Sequence, residues 1–218
     1  ETSQWEPRLY ENTNPVEPPR DDSYHLSEDL AEQAISWLRK HEAYSPDVPF
    51  LVYWAPGAAH RPHHISNEWA DKYEGAFYDG WVPYRERVFE RQKQKGWIPA
   101  DAELTPRADT MQAWDEIPED QRPFQRRLME VFAGYLEHVD AQVGRVLDEL
   151  ERLQRDENTI VIYIMGDNGS SAEGQRGSIS ELLAQNNIPS SIDQQLQALE
   201  AQGGLDALGS ARTDNMYH

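Results

Sequence analysis

Cysteine is absent from all 218 residues. That excludes disulfide staples, thiolate-bound metal centres and a cysteine nucleophile. Long apolar runs are absent too. None approaches the roughly 20 residues of a bilayer-spanning helix, and no basic-then-apolar leader opens the chain, so a soluble protein without a membrane partner is expected. Positive charge is scarce: Lys and Arg total 20 against 39 acidic residues, a formal charge of -19. Such a surface repels the phosphates of nucleic acid and anionic lipid, which argues against a nucleic-acid partner. No Gly-x-Ser-x-Gly elbow, dinucleotide fingerprint, Walker loop or His-Glu-x-x-His helix occurs.

Seven Trp, ten Tyr and five Phe supply enough large apolar surface to exclude disorder throughout, and the length suits one domain or most of a larger one. Residues 1–24, with Pro15, Pro18 and Pro19, read as an extended surface segment. Ser27 before Glu28 and Asp29 marks a helix start, with Leu30, Ala34, Trp37 and Leu38 on one face to about Lys40. Phe50-Leu51-Val52-Tyr53-Trp54 reads as a buried strand. A short helix is expected over Val82 to Lys95, and a surface excursion from Gly96 to Pro123. The clearest helix runs from about Phe124 to Arg155, where Leu128, Phe132, Tyr135, Val139, Val143, Val146, Leu150 and Leu153 recur at spacings of three and four. A sheet face is its expected partner. Thr159 to Met165 is nearly continuous in apolar, β-branched residues, the pattern of a parallel strand covered on both sides. Residues 25–178 therefore read as an α/β core, a partial mixed or parallel sheet flanked by helices, and 179–218 as a tail of weaker signal with a helix over Ile192 to Gln202.

Two loci could carry chemistry. Asp167-Asn168 follows the second apolar run and is flanked by Gly166 and Gly169. Its carboxylate and amide oxygens are hard ligands for Ca²⁺ or Mg²⁺, but Asp-Asn-Gly is also an ordinary turn former. His60, His63 and His64 stand just past the first apolar run. Imidazoles there could bind zinc, donate a proton to an anionic leaving group or simply pack beneath the loop. His60 lies nearest the run's end and is the preferred functional residue. Asp21-Asp22 reads as solvated charge, and His138 and Asp140 as surface or helix-packing residues.

Several segments together resemble the type I sulfatases, the arylsulfatase-like branch of the alkaline-phosphatase-like superfamily. They are Pro49–Trp54 with Gly57–His64, Asp71–Gly75 through Gly80-Trp81, His138–Arg145, and Gly166–Gly169 with Ser171–Gly174. The resemblance implies a large α/β fold, of which residues 1–218 would be an internal piece. It implies a divalent metal, usually calcium, held in part by Asp167 and Asn168. It also places His60 beside the leaving oxygen of a small-molecule sulfate ester. The product would be an alcohol or phenol plus sulfate. The family nucleophile is a formylglycine made from Cys or Ser in a Cys/Ser-x-Pro-x-Arg motif, and no such motif occurs here. Nor does a Lys follow Lys95. The isolated chain is therefore expected to be inactive. Alternative readings are hydrolysis of a phosphate or phosphonate ester on the same scaffold, and a catalytically inactive sulfatase-like module.

Overall fold

The computed structural model describes residues 3–19, 23–109, 111–166, 177–180 and 190–215, together with Leu183, Asn186 and Ile188. A small antiparallel hairpin opens the chain: β1 (Leu9–Glu11) pairs with β2 (Asn14–Val16) in the register Leu9 with Val16. Among the described residues five α-helices follow: α1 (Leu26–Tyr44), α2 (Asn67–Ala70), α3 (Trp81–Gln94), α4 (Arg122–Arg152) and α5 (Ile192–Glu200). Short 3-10 turns cover Asp71–Tyr73, Trp114–Glu116, Asp156–Asn158 and Gly204–Ala207.

The α/β expectation is overturned. Among the described residues the hairpin is the only sheet. Neither Phe50–Trp54 nor Thr159–Met165 joins a ladder, and both are open to solvent: Leu51 is 90% exposed, Ile160 88% and Ile164 86%. Aromatic and β-branched residues favour an extended local backbone, but a strand exists only where a neighbour accepts its hydrogen bonds. No described segment does so for these two runs.

Helices therefore supply the core. Phe124, Leu128, Val131 and Tyr135, all with zero exposure, face Ile65, Ala70, Ile179, Leu199, Ala207 and Leu208. The first half of α4 is thus covered by α2 and the C-terminal segment rather than by a sheet. The approach is close: a Cβ on Gly134 would lie 2.7–2.8 Å from the backbone of Trp69 and Ala70. Helix α1 packs along α4 through Ala31, Ile35 and Leu38. Its buried stripe is rotated from the expected one, leaving Trp37 43% exposed. Charge pairs line the seam: Arg145 to Glu32 at 3.0 Å and Arg155 to Glu42 at 2.7 Å. Glu149, only 4% exposed, is held by Arg39 at 2.9 Å and by Arg152. The guanidinium groups of Arg152 and Arg39 hold its carboxyl down to about 2.

The sequence places the α1 cap at Ser27. The cap is instead His25, whose Nδ1 accepts from the Ser27 N–H at 3.2 Å. An imidazole nitrogen here does the work of the usual oxygen. At α5 a capping box forms: the Ser191 hydroxyl accepts from the Gln194 N–H while the Gln194 side chain returns to the Ser191 N–H.

Candidate functional site

The loop after Trp54 turns sharply at Gly57, where the His60 N–H donates to the Gly57 carbonyl at 2.9 Å. His60 is exposed, and its Nδ1 lies 3.2 Å from the Arg61 carbonyl oxygen. A carbonyl only accepts, so the neutral ring carries its proton on Nδ1 and its basic lone pair on Nε2. Such a nitrogen can take and return a proton at the protein surface. Arg61, the next residue in the chain, is only 3% exposed, so a permanent cation is buried at this loop.

The two following histidines are interior. His63 is 3% and His64 1% exposed. The His63 ring packs against Phe132 at 4.9 Å and Tyr135 at 6.0 Å, and burial pushes it down to about 3. His64 Nε2–H donates to the Thr213 carbonyl at 2.8 Å, and its Nδ1 accepts from the Gln4 N–H at 3.3 Å. Burial lowers its pKa as well. Three adjacent imidazoles therefore separate into one surface group and two core groups. Sequence spacing could not tell them apart, because burial depends on α4 and the Thr213 segment, both distant along the chain.

His138, expected in a surface or helix-packing role, takes the second: it is 1% exposed and donates from Nε2 to Glu28 at 2.9 Å. Its ring centroid stands 4.4 Å from that of His25. Sequence reasoning passed over His25 entirely. A histidine one residue before an amphipathic helix was the signal available.

Asp167 and Asn168, the expected metal ligands, lie outside the described residues, as does Asp21-Asp22. Their separation from His60 is likewise outside them. The donor set itself suits a hard divalent cation, since a carboxylate and an amide oxygen are oxygen ligands. Two residues cannot fill six or more positions, so further oxygens are required. Among the described residues no cluster of three or more His, Asp or Glu is arranged to hold a metal. No described helix is long and apolar enough to cross a membrane.

Comparison with known proteins brings these segments together. An arylsulfatase of Klebsiella aerogenes is 28% identical over 154 residues, covering 70% of this chain and 32% of its own length. An uncharacterized sulfatase of Schizosaccharomyces pombe is 34% identical over 171 residues, 77% of this chain and 30% of its own. The chain thus spans about a third of the length of the curated relatives it matches. The sulfatase family model matches residues 1–208, from the N-terminal arm through the His60 loop and α4 to the buried turn at Leu208, and the chain belongs to the sulfatase family.

Proposed function

We propose that these residues contribute part of the active site of an arylsulfatase-like sulfuric ester hydrolase, with His60 as general acid and Asp167 and Asn168 as part of a divalent-metal site. The family match over residues 1–208 carries this reading. It is supported by the exposure of His60 on a tight glycine-bearing turn beside buried Arg61.

The chemistry demanded of this chain is limited. Hydrolysis breaks the bond between sulfur and the ester oxygen, and that oxygen leaves as an anion unless it is protonated. His60, charged, gives its Nε2 proton to the departing oxygen and is left as the neutral Nδ1–H ring that the Arg61 carbonyl orients. Arg61 adds positive potential where sulfate charge accumulates. A divalent ion, probed first as Ca²⁺, would be held in part by Asp167 and Asn168 and would supply charge neutralisation. No serine here stands in a Ser-x-Pro-x-Arg context and no cysteine exists, so the attacking group is not drawn from these residues.

The test is sulfate release from aryl sulfates by the complete polypeptide that contains this chain. Turnover should require a divalent ion, and Asp167→Ala should abolish it and weaken Ca²⁺ binding. His60→Ala should slow hydrolysis by about 10²–10⁴-fold for an unactivated phenol. The loss should shrink for a nitrophenol, which leaves readily without a proton. A uniform loss across leaving groups would remove His60 from the acid role. Unchanged calcium affinity in the Asp167 variant would remove the metal role, and a preference for phosphate over sulfate esters would reassign the substrate. Purified residues 1–218 should show no turnover.

A further inference from the structure

Four histidines meet where the ends of the chain join its helices. His25, His63, His64 and His138 are each 3% exposed or less, and none is needed for the chemistry proposed above. At His25 and His64 both ring nitrogens are committed in a way that admits only the neutral ring. His25 donates from Nε2 to the His64 carbonyl at 3.0 Å, while its Nδ1 accepts the Ser27 N–H. His64 donates from Nε2 to the Thr213 carbonyl, while its Nδ1 accepts the Gln4 N–H. A proton added to either Nδ1 would set one donor against another and remove an acceptor from a backbone N–H. At His63 and His138 the buried Nδ1 has no hydrogen-bond partner among the described residues, so a new N–H there would face no acceptor.

Few charges oppose this arrangement. His25 faces Glu28, His138 and His64. His138 faces Glu28, Lys72 and Arg145. His63 faces His60 and His64, and His64 faces Asp214. Glu28 and Asp214 favour protonation, but they are 47% and 57% exposed and screened by water. Burial outweighs them and lowers all four groups, His25 to about 4.

The same cluster holds the N-terminal arm, the His60 loop and the C-terminal segment against α1 and α4. Leu26 N–H donates to Gln4 at 2.8 Å, His63 N–H to Asn215 at 3.1 Å and Ile65 N–H to Gly209 at 2.9 Å. The Trp5 indole donates to the Gly209 carbonyl at 2.9 Å and stands edge-on to His25, centroids 5.0 Å apart. We propose that these four imidazoles form an acid-labile junction: neutral, they fasten the Gln4–Trp5 arm and the Gly209–Asn215 segment to the α1–α4 pair, and protonated, they release them.

The sign follows from linkage. Each ring binds a proton more readily in the unfolded than in the folded chain, so its contribution is full above about pH 6.5 and is lost as pH falls toward the folded value. The experiment is urea unfolding of the 218-residue chain between pH 7.5 and 5, above the ordinary carboxylate range. The unfolding constant should rise by about tenfold per pH unit for each fully committed imidazole. With unfolded rings near 6.5 that makes about 50-fold between pH 6 and 5 for His25 and His63 together. Amide protection at Gln4, Leu26, His63 and Ile65, corrected for intrinsic exchange, should fall first. His25→Asn keeps an N-cap acceptor without a titrating ring and should reduce the slope by about tenfold per unit. Should that variant not fold, the imidazole NMR titration of the parent chain decides. Rings neutral down to pH 5 support the junction. Titration near 6.5, or stability that is flat or rising on acidification, overturns it.

Discussion

Tyr135 shows how much one buried atom can weigh. Its ring sits at the centre of the core with zero exposure, and its hydroxyl has no hydrogen-bond partner among the described residues. Burial pushes the phenol well above its ordinary range. An unsatisfied buried hydroxyl costs about 1–3 kcal/mol, whereas the ring contributes apolar contact. Tyr135→Phe should therefore raise the urea midpoint; a lower one would mean that the hydroxyl is satisfied. Glu149 presents the opposite case. Both its oxygens are taken by Arg39 and Arg152, and its folded pKa lies below the unfolded one. The stability it contributes is complete above about 4.5 and is lost as pH falls toward about 2. Glu149→Gln should flatten the acid limb of the stability profile in that window and leave the window between pH 6 and 5 untouched. Movement of both windows together would show that Glu149 and the histidines are one coupled system.

At the scale of elements, the helices were legible because their signals are local. The three-and-four spacing from Leu128 onward and the acidic first turn at Glu28 and Asp29 each lie within one helix, and α4 and α1 form close to the expected limits. Which face would be buried was less legible, since Trp37 yielded to Ala31 and Ile35 once α4 was in place. Gly134 carries a similar lesson. In an isolated helix, Gly→Ala gains about 1 kcal/mol. Here the new methyl would meet backbone atoms at 2.7–2.8 Å, which cannot rotate aside as a side chain can. Overpacking costs about 1–3 kcal/mol, so Gly134→Ala should be net destabilising and should lower the melting temperature. A higher one would show that α2 can shift away.

Across the whole molecule, the apolar runs did not become the sheet that their composition suggested. Leu51, Tyr53, Ile160, Ile162, Ile164 and Met165 are each at least 74% exposed. Apolar surface on that scale favours association in water, and the formal charge of -19 opposes it at low salt. The chain should therefore self-associate increasingly as salt rises, with dye binding to exposed apolar surface. The double variant Leu51→Lys, Ile162→Lys should suppress both without loss of helical circular dichroism. Association unchanged by that variant would place the contact elsewhere.

The sequence by itself determined what depends on neighbours a few residues away. It determined the amphipathic helices, the charge and the short segments that resemble the sulfatase family. Only the tertiary structure decided what depends on distant chain. It left His60 at the surface and drew His63 and His64 inside, and it made His25 a helix cap rather than a bystander. It also withheld a ladder from Phe50–Trp54 and Thr159–Met165. Periodicity reports which way a side chain faces along its own element. Burial and hydrogen-bond partnership require a second segment, and for these residues that segment lies far along the chain.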